Sequence, residues 1–246
     1  PRARAPPEAF SDITGSGLLL IDSGAQYLGG TTDITRVVPV GETTPEQKRD
    51  YTLVLKAHIA LAETVFPENI GSTLLDAICR KPLWQEQCNY GHGTGHGVGY
   101  FMNVHEGPQV ISYLAPVNPH HAMKAGMITS NEPGLYRPGR WGVRIENLVA
   151  NQPVASPQET EFGKFLHFET LTLCPIDTRP IDLSLMTAEE IRWLNAYHAD
   201  VREKLLPLVD GEARDWLALS GEGPSTRTTW GPRPVASLWH EDLWRH

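Results

Sequence analysis

The pattern of apolar and polar positions predicts a β-hairpin near the start of the chain. Residues 17–22 (GLLLID) form a short apolar run that suits a buried strand, and residues 31–40, rich in threonine and valine, suit a second strand. The glycines at 29–30 mark a turn between them. The hairpin would carry Asp22 near the end of one arm and Asp33 near the start of the other.

A second hairpin is predicted further along the chain. Residues 127–132 suit a strand that Pro133 and Gly134 break, and residues 137–140 (RPGR) carry a turn signal. Residues 143–150 (VRIENLVA) alternate as a returning strand does. This hairpin would carry Glu132 and Glu146. Two hairpins with a pair of carboxylates each suggest two similar halves that face each other, although the sequence has no residue-level repeat.

Helix signals follow the first hairpin. Thr44 suits the N-cap, Pro45 the first helical position and Gln47 the capping-box position. This helix is predicted to run to about Phe66. A shorter helix is predicted to begin at Ser72. Its inward-facing residues would be Leu74, Leu75, Ile78 and Leu83.

A late strand and a further helix are predicted in the last third of the chain. Residues 165–175 alternate partly and suit a strand, and Thr187 with Glu190 forms a capping box. An apolar stripe with helical spacing follows this box. Its members are Ile191, Leu194, His198, Val201, Leu205 and Leu208.

The segment 91–99 (GHGTGHGVG) is rich in glycine, which weakens the interior of a regular helix or strand. We therefore expect it to serve a close approach of the backbone or a special turn. Across the chain, we predict an irregular lead-in at 1–16, one catalytic domain at 17–220 and an irregular tail at 221–246.

Composition excludes several classes of partner. The formal net charge is −8 with no basic stripe, which argues against a nucleic-acid partner. No apolar run approaches the roughly 18 residues that span a bilayer, so we expect no membrane segment. Three cysteines without metal-like spacing indicate free thiols in a reducing compartment, and hence a cytoplasmic location.

The candidate chemistry lies in four carboxylates and one imidazole. Asp22 follows an apolar run and Glu146 lies inside one, so each would need a partner or a cation. If Asp22, Asp33, Glu132 and Glu146 converge with His96, a pair of divalent ions would relieve their repulsion and activate water. An oxygen-rich site with one imidazole suits manganese, cobalt, iron or zinc.

Two further residues have both a functional and a structural interpretation. Arg144 shares a strand face with Glu146, so it would either orient a ligand carboxylate or face solvent. His92, four residues before His96, would be either a functional group or a hydrogen-bonded structural histidine.

The segments DSGAQYLGGTTDITR, YGHGTGHGVGYFMNVHEGP, NEPGLY and VRIEN resemble the signature segments of the pita-bread metallopeptidases, most closely the cytosolic Xaa-Pro aminopeptidases. The resemblance covers about residues 17–218. It implies an α+β fold of two pseudo-symmetric halves, with a curved antiparallel sheet covered by helices. It also implies two divalent ions, manganese in the first place and cobalt or zinc as alternatives.

The resemblance further implies a role for each residue. Asp22 would bind one ion, Asp33 and Glu146 would bridge both, and His96 with Glu132 would complete the second. Glu132 would also be the proton-accepting base. The substrate would be a peptide with proline at its second position. His92 and His105 match histidines that contact substrate in the family. Arg144 is a further candidate catalytic residue, as an orienting group, because it shares a strand face with Glu146.

The sequence departs from the family pattern at its beginning. Family members carry further N-terminal domains, which help form the substrate pocket and a dimer, and one more active-site histidine upstream. The corresponding region here, residues 1–4 (PRAR), has no histidine. An impaired fragment that binds peptides is therefore one alternative. A prolidase, which shares the ligand set, is the other, and a homodimer is the assembly that the resemblance implies.

Overall fold

The computed structural model describes residues 12–155 and 161–220 of the 246-residue chain. Its helices are α1 (Pro45–Ala62), α2 (Leu75–Gln85), α3 (Ala188–Leu205) and α4 (Gly211–Ser220). Its strands are β1 (Gly17–Tyr27), β2 (Gly30–Val40), β3 (Val65–Pro67), β4 (Gly95–His96), β5 (Val110–Ile111), β6 (Ile128–Asn131), β7 (Gly134–Arg137), β8 (Trp141–Arg144), β9 (Asn147–Pro153) and β10 (Phe165–Thr170). The predicted tail, and most of the lead-in, lie outside the described residues.

Every strand pair in the described ranges is antiparallel. The strands β3, β10, β9 and β6 form one sheet in that order, and three two-stranded ladders accompany it. The strand predicted at 165–175 is shorter than expected, because β10 keeps its partner β9 only as far as Thr170.

The first predicted hairpin is present, but its first strand is longer than expected. β1 continues five residues past Asp22 to Tyr27, and a two-residue turn joins it to β2. The ladder is continuous from the pair Gly17–Val40 to the pair Tyr27–Gly30. Asp22 therefore lies in the middle of β1 and not near its end.

The second predicted hairpin is present as two short ladders with a break between them. β6 pairs with β9 up to Asn131–Asn147, and pairing resumes in β7 and β8 at Gly134–Arg144. The two paired residue numbers have the same sum on both sides of the break, so the register of the strands is unchanged across it. Pro133 lies in the gap and has no N–H to donate to a ladder.

Helix α1 begins as predicted, with a capping box between Thr44 and Gln47. It ends at Ala62, four residues before the predicted end at Phe66. The prediction failed there because Phe66 belongs to β3, whose pairing with β10 competes with helix extension. Most of α1 is buried, so the helix forms the centre of the core.

Two details of the predicted apolar stripes are wrong. In α2, Leu75, Cys79 and Leu83 are fully buried, whereas Leu74 and Ile78 are exposed. The first turn, Ser72–Leu74, is a 3-10 helix, so the α-helical stripe starts one residue later than expected. The capping box that opens α3 is confirmed, but Leu208 lies beyond the helix and is exposed.

Arg36 on β2 connects distant parts of the chain through a buried guanidinium. It donates to the carbonyl of Glu146 at 2.5 Å, to that of Cys174 at 2.8 Å and to that of Pro175 at 3.1 Å. It also donates to the hydroxyl of Tyr197 on α3 at 3.0 Å. Buried charge is costly unless it is fully hydrogen-bonded, and these neutral acceptors meet that need.

The structure bears on two expectations drawn from composition, those about the cysteines and about membrane segments. All three cysteines are free thiols, with Cys79 buried. Among the described residues, no helix combines the length and the apolar character that a bilayer span requires.

Candidate metal centre

The hairpin β1–β2 presents its two aspartates on one face. Asp33 is paired with Gly24, and Asp22 is paired with Thr35. Paired residues of antiparallel strands point to the same side, as do residues two apart on one strand. The two carboxylates are therefore diagonal neighbours on the same surface of the hairpin.

The two glutamates lie in the break between the ladders of the second hairpin. Because the register is unchanged across the break, Glu132 and Glu146 stand opposite each other where a regular hairpin would pair them. Glu146 is only 2% exposed, and Glu132 is partly buried. Like charges placed opposite each other are destabilising unless another group compensates them.

His96 reaches the site from the glycine-rich loop, and the glycines beside it permit a close approach. A Cβ at Gly95 would lie 1.9 Å from the carbonyl oxygen of Ser130, and one at Gly97 would lie 2.0 Å from that of Glu106. Any side chain at these positions would displace the backbone. The expectation of a close backbone approach in this segment is confirmed, since it lets the loop lie against β6.

The five predicted ligands converge in a cleft of about 340 Å³. The Nε2 atom of His96 lies 3.3 Å from a carboxylate oxygen of Glu132 and 3.5 Å from one of Asp33. One carboxylate oxygen each from Asp22, Asp33 and Glu146 lies within 4.8 Å of the others. The structure therefore brings together residues that are up to 124 positions apart in the sequence.

The electrostatics of the cluster are those of a site with excess negative charge. Burial raises the pKa of the Glu146 carboxyl to about 8, repulsion from Glu132 adds to the rise, and the hydrogen bond from Thr35 opposes it. Burial lowers the pKa of His96, but the carboxylates of Asp33 and Glu132 outweigh this effect and raise it to about 10. Neighbouring carboxylates contribute to both pKa shifts, so a bound cation would stabilise the cluster.

The donor set fits a pair of divalent cations that accept carboxylate and imidazole ligands. The Nδ1 atom of His96 lies 3.0 Å from the carbonyl of Gly97, which accepts its proton and leaves Nε2 to face the carboxylates. A metal-binding histidine is commonly oriented in this way by its other nitrogen. Four carboxylates with one imidazole suit manganese, cobalt or zinc, and not a thiolate site.

Arg144 lies against the cluster, which favours the first of its two interpretations. Its guanidinium donates to the carboxylate of Asp22, to the hydroxyl of Thr35 at 3.0 Å and to that of Tyr136 at 3.0 Å. Only 17% of its side chain is exposed. The hydroxyl of Thr35 in turn donates to Glu146 at 2.6 Å. Arg144 thus contacts the predicted ligand Asp22 directly and is connected to Glu146 through the hydroxyl of Thr35.

The two further histidines contact different residues of the site. The Nε2 atom of His92 lies 2.8 Å from the hydroxyl of Tyr136. The ring of His105, which is exposed, lies 4.0 Å from that of His96, centre to centre, and His105 also lines the cleft. His105 is therefore placed where it can contact a molecule in the cleft. The Nδ1 atom of His92 lies 2.7 Å from the carbonyl of Gly93, so both of its ring nitrogens are within hydrogen-bond distance of protein groups.

Sequence analysis missed three polar residues that support the ligands. They are Thr35, Ser130, whose hydroxyl donates to Glu132 at 3.0 Å, and Tyr136. Thr35 and Ser130 each lie two residues from a ligand on a predicted strand, which places them on the ligand's face. That spacing was a usable signal, whereas nothing in the sequence pointed to Tyr136.

The comparisons with known families agree with this geometry. The sequence model of metallopeptidase family M24 matches residues 3–152, and that of the C-terminal region of the same family matches residues 164–220. Together the two matched stretches cover most of the chain.

Individual relatives and solved structures point the same way. The chain is 46% identical over 213 residues to the probable Xaa-Pro aminopeptidase P of Coprinopsis cinerea, covering 86% of this chain and 34% of that protein. The X-prolyl aminopeptidase of Caenorhabditis elegans, described as a cytosolic enzyme with a di-nuclear active site, superposes with a TM-score of 0.78 at 38% identity, covering 84% of this chain and 33% of that one.

The prolidase of Pyrococcus furiosus is a more distant structural match. It superposes with a TM-score of 0.50 at 32% identity, covering 63% of this chain and 41% of that one. Compared with the curated relatives that it matches, the chain spans about a third of their length.

Proposed function

This chain belongs to metallopeptidase family M24, and on that premise we propose that it hydrolyses the peptide bond between an N-terminal residue and a following proline. The observation that carries the proposal is the convergence of Asp22, Asp33, His96, Glu132 and Glu146 in one cleft. The relatives named Xaa-Pro aminopeptidase, together with the higher TM-score of the X-prolyl enzyme, support the choice of bond.

The ligands divide into two groups on this proposal. Asp22 would hold one ion, His96 and Glu132 would hold the other, and Asp33 and Glu146 would be shared between them. The close grouping of Asp33 with Asp22 and Glu146 supports its bridging place. When bound, two divalent cations supply Lewis-acid activation of a water molecule near neutral pH. Manganese is the proposed metal, with cobalt or zinc as alternatives.

The residues of the chain supply proton transfer and orientation. Glu132 is the proton acceptor, and the hydroxyl of Ser130 fixes one of its oxygens. Arg144 holds Asp22 in place and so acts as a positioning residue. The imidazole of His105 borders the cleft, and that of His92 lies against Tyr136. Both would contact the substrate and stabilise the negative charge that develops on its carbonyl oxygen.

The partners and location follow from the same relatives. The substrates are peptides with proline at the second position, and the location is the cytoplasm, as for the worm enzyme described as cytosolic. A homodimer is the proposed assembly. The catalytic domain extends over residues 17–220, which includes nearly all of both family matches.

The decisive experiment is a peptidase assay with a matched variant. The chain, freed of metal and reloaded with manganese, should release the first residue of Arg-Pro-Pro. The variant Glu132→Gln should lose at least 100-fold in kcat, as expected when a general base is removed. Glu212→Gln, an exposed position on α4, should keep full activity. Metal binding by the wild-type chain without any cleavage would contradict the proposal.

A prolidase is the second candidate, because the Pyrococcus prolidase shares the fold at 32% identity. The two activities differ in substrate length, since a dipeptidase requires the free carboxylate of the proline. Comparing kcat/KM for Arg-Pro with that for Arg-Pro-Pro separates them. A preference for the dipeptide would replace the aminopeptidase proposal with the prolidase one.

A further inference from the structure

His58 lies behind the candidate metal centre, on helix α1, and is completely buried. Its Nδ1 atom is 3.2 Å from the carbonyl oxygen of Asn131 and also 3.2 Å from that of Ile145. These two carbonyls belong to opposite strands of the second hairpin. One imidazole nitrogen therefore contacts both strands where their ladder is interrupted.

The contacts of His58 determine which nitrogen carries its proton. Carbonyl oxygens accept only, so Nδ1 must be the protonated nitrogen, with its N–H shared between the two carbonyls. The amide nitrogen of Asn147 lies 3.2 Å from Nε2 and donates to the lone pair there. Burial lowers the pKa of His58 to about 3, so the ring is neutral at physiological pH.

Two asparagines complete the connection between α1 and the hairpin. The side-chain amide of Asn131 donates to the backbone carbonyl of His58 at 3.0 Å. Asn147, the cross-strand partner of Asn131, donates to the His58 ring and accepts from Arg36 at 2.6 Å. The last residue pair before the break is thus attached to the helix on both strands.

The two carbonyls bound by His58 immediately precede the two glutamate ligands. Asn131 is followed by Glu132, and Ile145 is followed by Glu146. The carbonyl of Glu146 itself is bound by Arg36 at 2.5 Å. The carbonyls of Ile145 and Glu146 therefore both accept from buried donors, His58 and Arg36 respectively. The carbonyl of Asn131, which precedes Glu132, shares the His58 donor with the carbonyl of Ile145 on the opposite strand.

We propose that His58 is a positioning residue that fixes the distance between Glu132 and Glu146 and thereby sets the affinity of the site for its second cation. This inference rests on the proposed function. At the break, the strands are joined by one long backbone bond, from the N–H of Ile145 to the carbonyl of Pro133 at 3.4 Å. The shared N–H of His58 adds a second constraint on their separation, because each carbonyl must remain within hydrogen-bond reach of the same atom. Without that donor, the two strands are less constrained at the break, so Glu132 and Glu146 are no longer held at one separation.

The first test needs no variant. Nitrogen-15 NMR of the metal-free, full-length wild-type chain reports which imidazole nitrogen of His58 carries the proton. We expect the Nδ1–H form at pH 7. A spectrum that shows the Nε2–H form would overturn the proposal, because Nδ1 could then donate to neither carbonyl.

The second test uses two variants that preserve different parts of the ring. In His58→Asn the amide reaches about as far as Nδ1, so the donor to the carbonyls is kept. In His58→Gln the amide reaches about as far as Nε2, so the contact with Asn147 is kept and the shared donor is lost. Both replace an imidazole by an amide, which makes each the control for the other.

Manganese binding is measured by calorimetry, and the coupled pair of ions is detected by electron paramagnetic resonance. We expect His58→Gln to raise the Kd of the weaker manganese ion by 10- to 100-fold and to reduce the coupled-pair signal, whereas His58→Asn stays within about threefold of wild type. Equal affinities in His58→Gln and wild type would contradict the proposal, as would equal losses in both variants.

The outcomes separate this inference from the proposed function. If the wild-type chain binds no manganese, the proposed function fails and the inference fails with it. If the wild-type chain binds two ions and cleaves Arg-Pro-Pro while His58→Gln binds them equally well, only the role of His58 is rejected.

Discussion

Asp22 and Asp33 face the same side of the β1–β2 hairpin without being cross-strand partners, because Asp33 is paired with Gly24. The glycine places no side chain opposite Asp33 on this face. A directly opposed pair of aspartates would place both negative charges at the shortest cross-strand distance. The diagonal arrangement instead leaves space in which a cation can contact both.

Gly24→Val is predicted to weaken metal binding at this hairpin. A Cβ at this position would lie 2.9 Å from the carbonyl oxygen of Thr32, so the backbone must shift, and the branched side chain would enter the cleft. We expect the affinity for manganese to fall at least tenfold in a calorimetric titration. Ser23→Val, which places the same side chain on the opposite face, should bind manganese normally. Similar losses in both variants would point to a general distortion of the strand.

The metal-free chain is predicted to lose stability as the pH rises from 5 to 9. The pKa of Glu146 is about 8 in the folded chain against an ordinary 4.5, so between these values the native state holds a proton that the unfolded state releases. Unfolding then releases a proton, and stability falls by on the order of 1.4 kcal/mol per pH unit from this group. His96, with a pKa of about 10 against 6.5, extends the loss to higher pH.

Urea unfolding in the presence of a chelator, at pH values from 5 to 9, measures this dependence. Glu146→Gln should flatten the curve between pH 5 and 7, because the amide does not titrate. The exposed variant Glu212→Gln should retain the slope of wild type. A wild-type chain whose stability increases over that interval would be incompatible with a raised Glu146 pKa.

Thr35→Val is predicted to weaken metal binding while preserving the fold. The hydroxyl of Thr35 donates to Glu146 at 2.6 Å and accepts from Arg144 at 3.0 Å, so its removal frees two groups that orient ligands. Losing such a support typically costs 10- to 100-fold in metal affinity. Thr52→Val is the matched control, since Thr52 is equally buried but lies on α1 with contacts to Lys48 and Asp182. It should change thermal stability alone.

The buried pair Asp76–Arg80 is predicted to be necessary for the histidine-bearing loop. Both side chains are fully buried, and Arg80 donates to the carbonyls of Tyr90 at 2.8 Å and His92 at 2.5 Å. Asp76→Ala would leave the guanidinium without its counter-charge, which typically costs about 3–5 kcal/mol. The free energy of unfolding in urea measures this loss.

The exposed pair Lys204–Asp200 provides the comparison for that measurement. It has a similar N–O distance, 2.9 Å against 2.8 Å, and the same four-residue spacing on a helix. Because both groups are solvated, Asp200→Ala should cost less than about 1 kcal/mol. Equal costs for the two substitutions would show that burial of the Asp76–Arg80 pair is energetically unimportant.

Much of the architecture could be predicted from local sequence signals. The α+β pita-bread fold is confirmed, and so are the capping boxes at Thr44 and Thr187. The capping boxes depend on residues a few positions apart, so one stretch of sequence contains the whole signal, whereas the fold was implied by the family resemblance. The convergence of the five ligands was also anticipated, but from a resemblance to a family and not from the physics of any single segment.

The remaining features depend on contacts between distant segments. The interruption of the second hairpin at Glu132 and Glu146 is supported by His58 and Arg36, which approach from α1 and β2. A pattern within residues 127–150 carries no information on these partners. The early end of α1 likewise results from pairing between β3 and β10, which lie about 100 residues apart.

The guanidinium of Arg36 shows that the boundary between the two sequence matches, which falls between residues 152 and 164, does not divide the protein into separate modules. Three of its acceptors, at Cys174, Pro175 and Tyr197, come after that boundary, while a fourth is the backbone of Glu146. A recombinant protein shortened to the first match would remove three acceptors of the buried guanidinium that also binds the carbonyl of Glu146. The later stretch is therefore an integral part of the metal-binding half, and expression trials should retain both.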